Sequence, residues 1–101
     1  KKEVLIQKYL SGETEGYASN LRIDGDILIN YATPIAYRYK GYVILNNERY
    51  SQTTSRNQNL IRRLAVPSLL LETDEETLRQ LIHAQNQAQV FKKIVEENKE
   101  E

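Results

Sequence analysis

The feature that most constrains the fold is the close spacing of turn signals between residues 20 and 54. Asp24-Gly25, Lys40-Gly41 and Asn46-Asn47 separate short segments that are rich in β-branched and aromatic residues. Connections as short as these join neighbouring strands in antiparallel pairs. The segment therefore predicts an antiparallel meander of four strands, with the sequences NLRID, ILINYATPIAYRY, YVILN and ERYSQT.

The longest of these strands contains a proline, Pro34. Because proline has no N–H to donate to a neighbouring strand, it marks an edge, a bulge or a break. We therefore expect this strand to be bent or divided at Thr33-Pro34. The polar segment 13–20, which precedes the meander and contains Gly16, predicts a loop.

Helices are predicted on both sides of the meander, because there the apolar residues recur about every 3.6 positions. The first helix ends at Gly12 and the second ends before Pro67. The predicted helices cover residues 1–12, 55–66 and 74–98. The chain is thus predicted to be a single α+β domain over residues 1–101, in which the short N-terminal helix and the two C-terminal helices pack on one face of a four-stranded antiparallel meander over residues 20–54.

The third predicted helix has an apolar stripe whose members are spaced three and four residues apart, as in a heptad repeat. Such a stripe packs either on the sheet of its own chain or on a second copy in a homodimer. The stripe consists of Leu81, Ala84, Ala88, Phe91 and Val95.

Two capping-box patterns open the second and third helices, Ser55-x-x-Gln58 and Thr73-x-x-Glu76. Acidic residues follow Thr73, as the positive end of a helix dipole favours. Arg56 follows Ser55, and no acid stands in that turn.

A helix start without carboxylates and with cations nearby is open to an external anion. The pattern is thus either an ordinary helix cap or a site for phosphate. The residues of this candidate site are Thr54, Ser55, Arg56, Arg62 and Arg63.

Tyrosines and cations alternate in the predicted sheet, where Tyr37 and Tyr39 are interleaved with Arg38 and Lys40. Aromatic rings and cations on one sheet face are typical of proteins that bind single-stranded nucleic acid, since bases stack on the rings. Tyrosine is also a common half-buried strand residue, so core packing is the alternative.

The formal net charge is zero, but it is unevenly distributed along the chain. Residues 38–67 contain six Lys or Arg and one acid, whereas residues 68–101 contain four Lys or Arg and eight acids. The basic centre and the acidic end either neutralise each other or bind different partners.

Several classes of chemistry have no support in the composition. The chain has no cysteine and one histidine, which excludes thiolate chemistry and leaves no metal-ligand or cofactor motif. Asp24 and Asp26 flank a turn glycine, where aspartate is expected for backbone reasons. We therefore expect no catalytic residue, no metal and no cofactor.

No apolar run approaches the roughly 20 residues of a membrane span, and a cysteine-free chain fits the cytoplasm.

The central segment resembles a small uncharacterised β-meander domain of phage and archaeal-virus proteins, through DGDILINYATPIAYR and GYVILNNERYSQTTSRNQ. The resemblance covers about residues 20–64 and implies a viral or mobile-element origin without assigning an activity. The matching residues are Tyr31, Thr33, Pro34, Ile35, Ala36, Asn46, Tyr50, Ser51, Thr53, Thr54, Ser55 and Gln58.

Two functional hypotheses follow from the sequence. The first is a non-enzymatic viral accessory protein that binds nucleic acid, or another phosphate-bearing partner, through the basic helix start and the sheet tyrosines. The second is a protein-interaction module, either a homodimer or an inhibitor of a host defence protein, that acts through the long acidic helix.

Overall fold

The computed structural model describes residues 1–99, so the last two residues of the acidic C-terminal segment lie outside the described residues. The α+β class is confirmed, with a six-stranded mixed sheet and four α-helices among the described residues. The helices are α1 (Lys2–Leu10), α2 (Gln52–Leu64), α3 (Glu75–His83) and α4 (Gln87–Asn98). The strands are β1 (Glu15–Ala18), β2 (Leu21–Asp24), β3 (Ile27–Asn30), β4 (Thr33–Tyr39), β5 (Tyr42–Asn46) and β6 (Leu70–Thr73), and a 3₁₀ turn (Pro67–Leu69) precedes β6.

The strands lie in the sheet in chain order, from β1 at one edge to β6 at the other. Strands β1 to β5 form successive antiparallel pairs, whereas β6 pairs parallel to β5 and α2 connects the two. The prediction of four strands, all antiparallel, is therefore wrong. Strand β6 was missed because parallel pairing is non-local and leaves no turn signal between the partners.

Strand β1 lies in the segment that was predicted to be a loop. Its Gly16 has φ +146°, and a Cβ there would stand 3.1 Å from Leu5 Cδ1 of α1. Only glycine combines this backbone conformation with so close an approach. The glycine that indicated a loop is thus the residue that lets β1 lie directly over α1.

The long predicted strand is divided into β3 and β4, but at Tyr31-Ala32 rather than at Thr33-Pro34. Pro34 lies inside β4, opposite Ile29, and the register shifts beside it. The proline therefore marks a β-bulge, one of the positions where a missing N–H is tolerated.

The predicted fourth strand, ERYSQT, does not form. The backbone turns away after Asn46, because the Asn46 Oδ1 accepts from the N–H of Glu48 at 2.9 Å. Helix α2 then begins at Gln52, and its N-cap is Ser51, whose hydroxyl accepts from the Thr54 N–H at 3.3 Å. The predicted N-cap, Ser55, lies inside the helix.

The predicted helix over residues 74–98 is two helices, α3 and α4, which contact each other. Asp74, not Thr73, caps α3 by accepting from the Thr77 N–H at 2.8 Å. Asn86 caps α4, and the Gln87 Nε2 donates to the Leu81 carbonyl at 2.9 Å, which stabilises the reversal. Strand β6 ends at Thr73, since the next residue, Asp74, is the N-cap of α3; the Thr73 carbonyl accepts from the Asn47 N–H, which continues the pairing with β5.

The helices pack on both faces of the sheet, not on one face as predicted. On β5, Leu45 belongs to the apolar cluster beneath α1 and α2, whereas Ile44 belongs to the cluster beneath α3 and α4. The physical reason is that central strands with apolar residues on both sides need cover on both faces. None of the helices within residues 1–99 is long and apolar enough to span a bilayer.

Candidate nucleic-acid interface

Helix α2 is held on the sheet by buried polar contacts that determine which of its sides faces outward. The Gln58 Nε2 donates to the carbonyls of Asn46 and Glu48, at 2.7 and 3.0 Å. The Asn57 Nδ2 donates to Asn30 Oδ1 at 3.0 Å. Because hydrogen bonds are directional and these groups are buried, the rotation of α2 about its axis is specified. The arginines of α2 lie on the opposite, solvent-facing side.

The start of α2 only partly matches the predicted phosphate site. No acid stands in its first turn, as predicted, and both Arg49 and Arg56 are exposed near it. Thr54 is buried, however, and Ser55 is half-buried. Of the predicted trio at this end of the helix, Arg56 alone is fully exposed.

The other two arginines of α2 each pair with an acid of a neighbouring element. Arg62 meets Glu72 of β6 with two parallel contacts, Nε to Oε2 and Nη2 to Oε1, both at 3.0 Å. Arg63 Nη2 lies 3.6 Å from Glu3 Oε1 of α1. The forked contact of Arg62 is the stronger geometry, and it raises the pKa of Arg62 further above its ordinary value.

The two helix layers differ in charge. The layer made by Lys1, α1 and α2, here called the basic layer, contains six Lys or Arg and one acid, Glu3. Residues 74–99, which contain α3 and α4, have four Lys or Arg and five acids. The six cations of the basic layer are Lys1, Lys2, Lys8, Arg56, Arg62 and Arg63.

Three lysines of this layer were missed at the level of sequence. They lie near the N-terminus, far along the chain from α2, and no local signal associates the two segments. The tertiary contact between α1 and α2 brings them into one surface. Among the described residues, Lys1, Lys2, Lys8 and Arg56 form no ion pair.

Arg38, a predicted phosphate contact, has a structural role. Its guanidinium lies 4.5 Å from the ring centroid of Tyr9 and donates to the carbonyls of Tyr9 and Gly25, each at 2.6 Å. It also pairs with Asp26 at 3.3 Å, and 14% of its side chain is exposed. The Tyr9 hydroxyl donates to the Asp26 carbonyl, and burial raises the pKa of Tyr9 above its ordinary value.

Tyr37 and Tyr39 lie on the other face of the sheet, in the cluster beneath α3 and α4. The ring of Tyr39 is 4.9 Å from that of Phe91, and the Tyr37 hydroxyl accepts from Gln87 at 2.9 Å. These rings are therefore packed against α4 rather than open to bases. Lys40 lies in the β4–β5 turn, with its ammonium 5.8 Å from the Tyr39 ring centroid.

The exposed tyrosines are two that the sequence analysis did not include in a candidate site. Tyr17 is 80% exposed and Tyr31, in the β3–β4 turn, is 58% exposed; Arg22 is the cross-strand partner of Tyr17 and donates to the Tyr31 carbonyl at 3.4 Å. Helices α3 and α4 pack on β4, β5 and β6, beyond this part of the face. Tyr17 stands in the segment predicted to be a loop, so no period-two pattern indicated its orientation.

The predicted dimer stripe is not continuous in the structure. Leu81 is buried in the cluster that contains Ile44, and Phe91 packs on Tyr39 and Tyr42. Ala84 stands at the break between α3 and α4. The remaining members, Ala88 and Val95, are exposed and half-buried.

The fold and the charged surface define a class: an α+β protein whose mixed sheet separates a basic helix layer from a layer, α3 and α4, in which acids and cations nearly balance. The chain belongs to DUF8033, a family of unknown function, whose family model matches residues 4–65. The matched segment begins in α1 and ends directly after α2, so it includes most of α1 and all of α2, but not Lys1 and Lys2 of the basic layer. No curated protein and no solved structure matches the chain.

Proposed function

We propose that this protein is a small non-enzymatic accessory protein that binds nucleic acid, or another phosphate-bearing partner, through the basic layer. The observation that carries this proposal is the charge of that layer, with six cations and one acid on two packed helices. Such a surface attracts polyanions and raises their association rate.

The proposed contact is to phosphates rather than to bases. Tyr37 and Tyr39 are packed against α4, so they offer no stacking platform on this surface. Phosphate contacts position a nucleic acid without reading its sequence. We therefore expect weak sequence preference and strong salt dependence.

Four cations of the basic layer form no ion pair among the described residues, and these should dominate the binding: Lys1, Lys2, Lys8 and Arg56. Each phosphate that is neutralised contributes about −0.9 to the slope of log K against log salt for duplex DNA. If all four make contacts, the slope is about −3 to −4.

The experiment is fluorescence anisotropy with labelled single-stranded and duplex oligonucleotides at increasing salt. The test variant is Lys8→Ala with Arg56→Ala in the basic layer. The matched control is Lys92→Ala with Lys93→Ala, which removes the same charge from α4 on the opposite face.

We expect the basic-layer variant to bind about tenfold or more weakly and its salt slope to fall by about two, while the control changes binding by less than about twofold. Absence of binding at low salt, or equal weakening by both variants, would contradict the proposal.

The exposed acids on and beside α3 and α4 support a second candidate, a protein-interaction module. Exposed Glu76 lines a shallow depression of about 700 Å³ with Glu48 and Arg79, and Glu96 and Glu97 are exposed on α4. Acids arranged on a helix can imitate a phosphate array, so this surface would compete with nucleic acid for a basic host protein. The test is capture of host proteins by the wild type and by the Glu96→Gln with Glu97→Gln variant, where equal capture by both would contradict the candidate.

The viral or mobile-element origin and the host cytoplasm as its location remain part of the proposal. They are supported by the resemblance of residues 20–64 to phage and archaeal-virus domains and by the absence of cysteine.

A further inference from the structure

The two edge strands of the sheet differ in whether their outward backbone groups are hydrogen-bonded to a side chain. At the β6 edge, the side-chain amide of Asn98 accepts from the Glu72 N–H and donates to the Glu72 carbonyl, both at 3.0 Å. These two contacts occupy the groups that another strand would use. At the β1 edge, no such cap is present within residues 1–99.

The register identifies which backbone groups of β1 point outward. The Gly25 N–H donates to the Thr14 carbonyl at 2.9 Å, and hydrogen-bonded pairs alternate along an antiparallel ladder. Gly16 and Ala18 therefore bond to β2. The N–H and carbonyl groups of Glu15 and Tyr17 point away from the sheet.

We propose that β1 is a self-association edge, where two copies pair antiparallel and join their sheets into one. The outward groups specify the register, with Gly16 of one copy opposite Gly16 of the other. Glu15 then forms a hydrogen-bonded pair with Tyr17 of the second copy, and the symmetric arrangement contains about four backbone hydrogen bonds. An exposed edge strand that contains no proline is a template for such pairing.

The side chains next to this edge are complementary in charge. Arg22 pairs in register with Tyr17, and on the same face Glu15 pairs with Asp24. Neither Arg22 nor Glu15 forms an ion pair among the described residues. In the proposed register, Glu15 of the second copy lies beside Tyr17 and within reach of Arg22. The pairing thus brings Glu15 of each copy onto the same face as the oppositely charged Arg22 of the other copy, on the far side of Tyr17.

The symmetry of this pairing places both basic layers on the same side of the joined sheet. Helix α1 packs on β1 and β2, so the two α1 helices come close to each other. Each carries the exposed Lys8, and their like charges oppose the pairing. If the proposed function holds, a polyanion that contacts both layers tightens the dimer by linkage.

The test is sedimentation equilibrium of the full chain without nucleic acid, from about 20 µM to about 1 mM, because so small an interface binds weakly. Tyr17→Pro removes an outward N–H that the single chain does not use, and proline is tolerated at such an edge position. Tyr17→Thr is the matched control, which loses the ring and keeps the N–H. Circular dichroism reports whether each variant is folded.

We expect a wild-type dimer, a monomeric Tyr17→Pro variant and a Tyr17→Thr variant that still dimerises. Glu15→Arg should weaken the dimer by about tenfold, and Glu15→Arg with Arg22→Glu should restore it, which decides the matter even if the proline variant fails to fold. A wild type that stays monomeric, or a dimer indifferent to Glu15→Arg, overturns the proposal. Because nucleic acid is absent, these outcomes are independent of the proposed function.

Discussion

At the residue scale, Arg38 connects three parts of the molecule through one side chain. Its guanidinium stacks on Tyr9 of α1, donates to the Gly25 carbonyl in the β2–β3 turn, and pairs with Asp26. It is largely buried, so its desolvation is offset by these contacts. Arg38, which the sequence pattern offers as a phosphate contact, therefore stabilises the fold instead.

Arg38→Met tests this role. The substitution removes the charge-assisted hydrogen bonds to the carbonyls of Tyr9 and Gly25, and their loss should lower the free energy of unfolding by about 3 kcal/mol. Urea denaturation measures it. Arg49→Met is the control, since Arg49 is exposed and should change stability by less than about 0.5 kcal/mol. Equal effects of the two substitutions would refute the structural role.

Tyr50 couples the segment before α2 to the start of α3. Its hydroxyl donates to Glu75 Oε1 at 2.5 Å and accepts from Asn46 Nδ2 at 2.8 Å. Burial, with the Glu75 contact, raises the pKa of Tyr50 to about 12. The hydrogen bonds from Tyr50 and then from Arg79 hold the pKa of Glu75 below its ordinary value.

These shifts predict how stability depends on pH. The contribution of Glu75 is present above its unfolded pKa, near 4.5, and is lost as the pH falls through its lower folded pKa. The contribution of Tyr50 is complete below its unfolded pKa of 10.0 and is lost as the pH rises towards about 12.

Tyr50→Phe removes the Tyr50 contribution and the part of the Glu75 contribution that comes from the Tyr50 hydroxyl, while the contact of Glu75 with Arg79 remains. At pH 7 it should destabilise the protein by about 1 kcal/mol, since the contact is partly exposed. The difference from the wild type should shrink in acid, where Glu75 is protonated, and again above pH 10. Urea unfolding across this range measures the difference, and a difference that is constant with pH would count against the coupling.

At the scale of elements, the start of α2 depends on a serine that the sequence pattern did not indicate. Ser51 is extended, with φ −65° and ψ 165°, and its hydroxyl accepts from the first turn of the helix. Ser55 fits the capping-box pattern, whereas Ser51 is followed three residues later by Thr54 rather than by Glu or Gln. The helix nevertheless begins one turn before Ser55, and Gln58 and Asn57 make tertiary contacts. Gln58, the expected capping partner of Ser55, is thereby used elsewhere.

Two single substitutions distinguish the caps. Ser51→Ala should cost about 1 kcal/mol of stability, because the Thr54 N–H loses its acceptor. Ser55→Ala should change stability by less than about 0.5 kcal/mol, since alanine favours a helix interior. Thermal or urea unfolding of both variants shows which serine caps α2. A larger loss of stability from Ser55→Ala would indicate that Ser55 is the N-cap.

At the scale of the whole molecule, the sheet separates two apolar clusters of different size. The cluster beneath α1 and α2 contains eleven buried residues, whereas four are buried beneath α3 and α4. Because less apolar contact is lost when α3 and α4 separate from the sheet, the free energy of this local unfolding should be lower than that of global unfolding. We therefore expect α3 and α4 to open before the rest of the fold.

Neighbouring residues of β5 test this difference. Ile44→Ala creates a cavity in the smaller cluster and should speed amide exchange in α3 and α4 by about tenfold or more, with little effect in α2. Leu45→Ala faces the larger cluster and should lower protection throughout the fold. Native-state hydrogen exchange measures both, and uniform acceleration by Ile44→Ala would show that the two layers unfold together.

The residue patterns by themselves determined the α+β class, most strand positions between Leu21 and Asn46, and the existence of helices on either side of them. These are local properties, set by turn chemistry and by periodicity over a few residues. The absence of an acid near the start of α2 is also a local property, and the first turn of α2 in the structure has no acid.

Only the tertiary structure decided which residues share a surface. The parallel pairing of β6, the position of Tyr37 and Tyr39 beneath α4, and the meeting of α1 with α2 all join segments that are distant in the chain. Such contacts leave no periodic signal, because they depend on which faces remain to be covered once the sheet has formed. The basic layer arises in this way, from lysines and arginines that only the packing of two helices on one sheet face brings together.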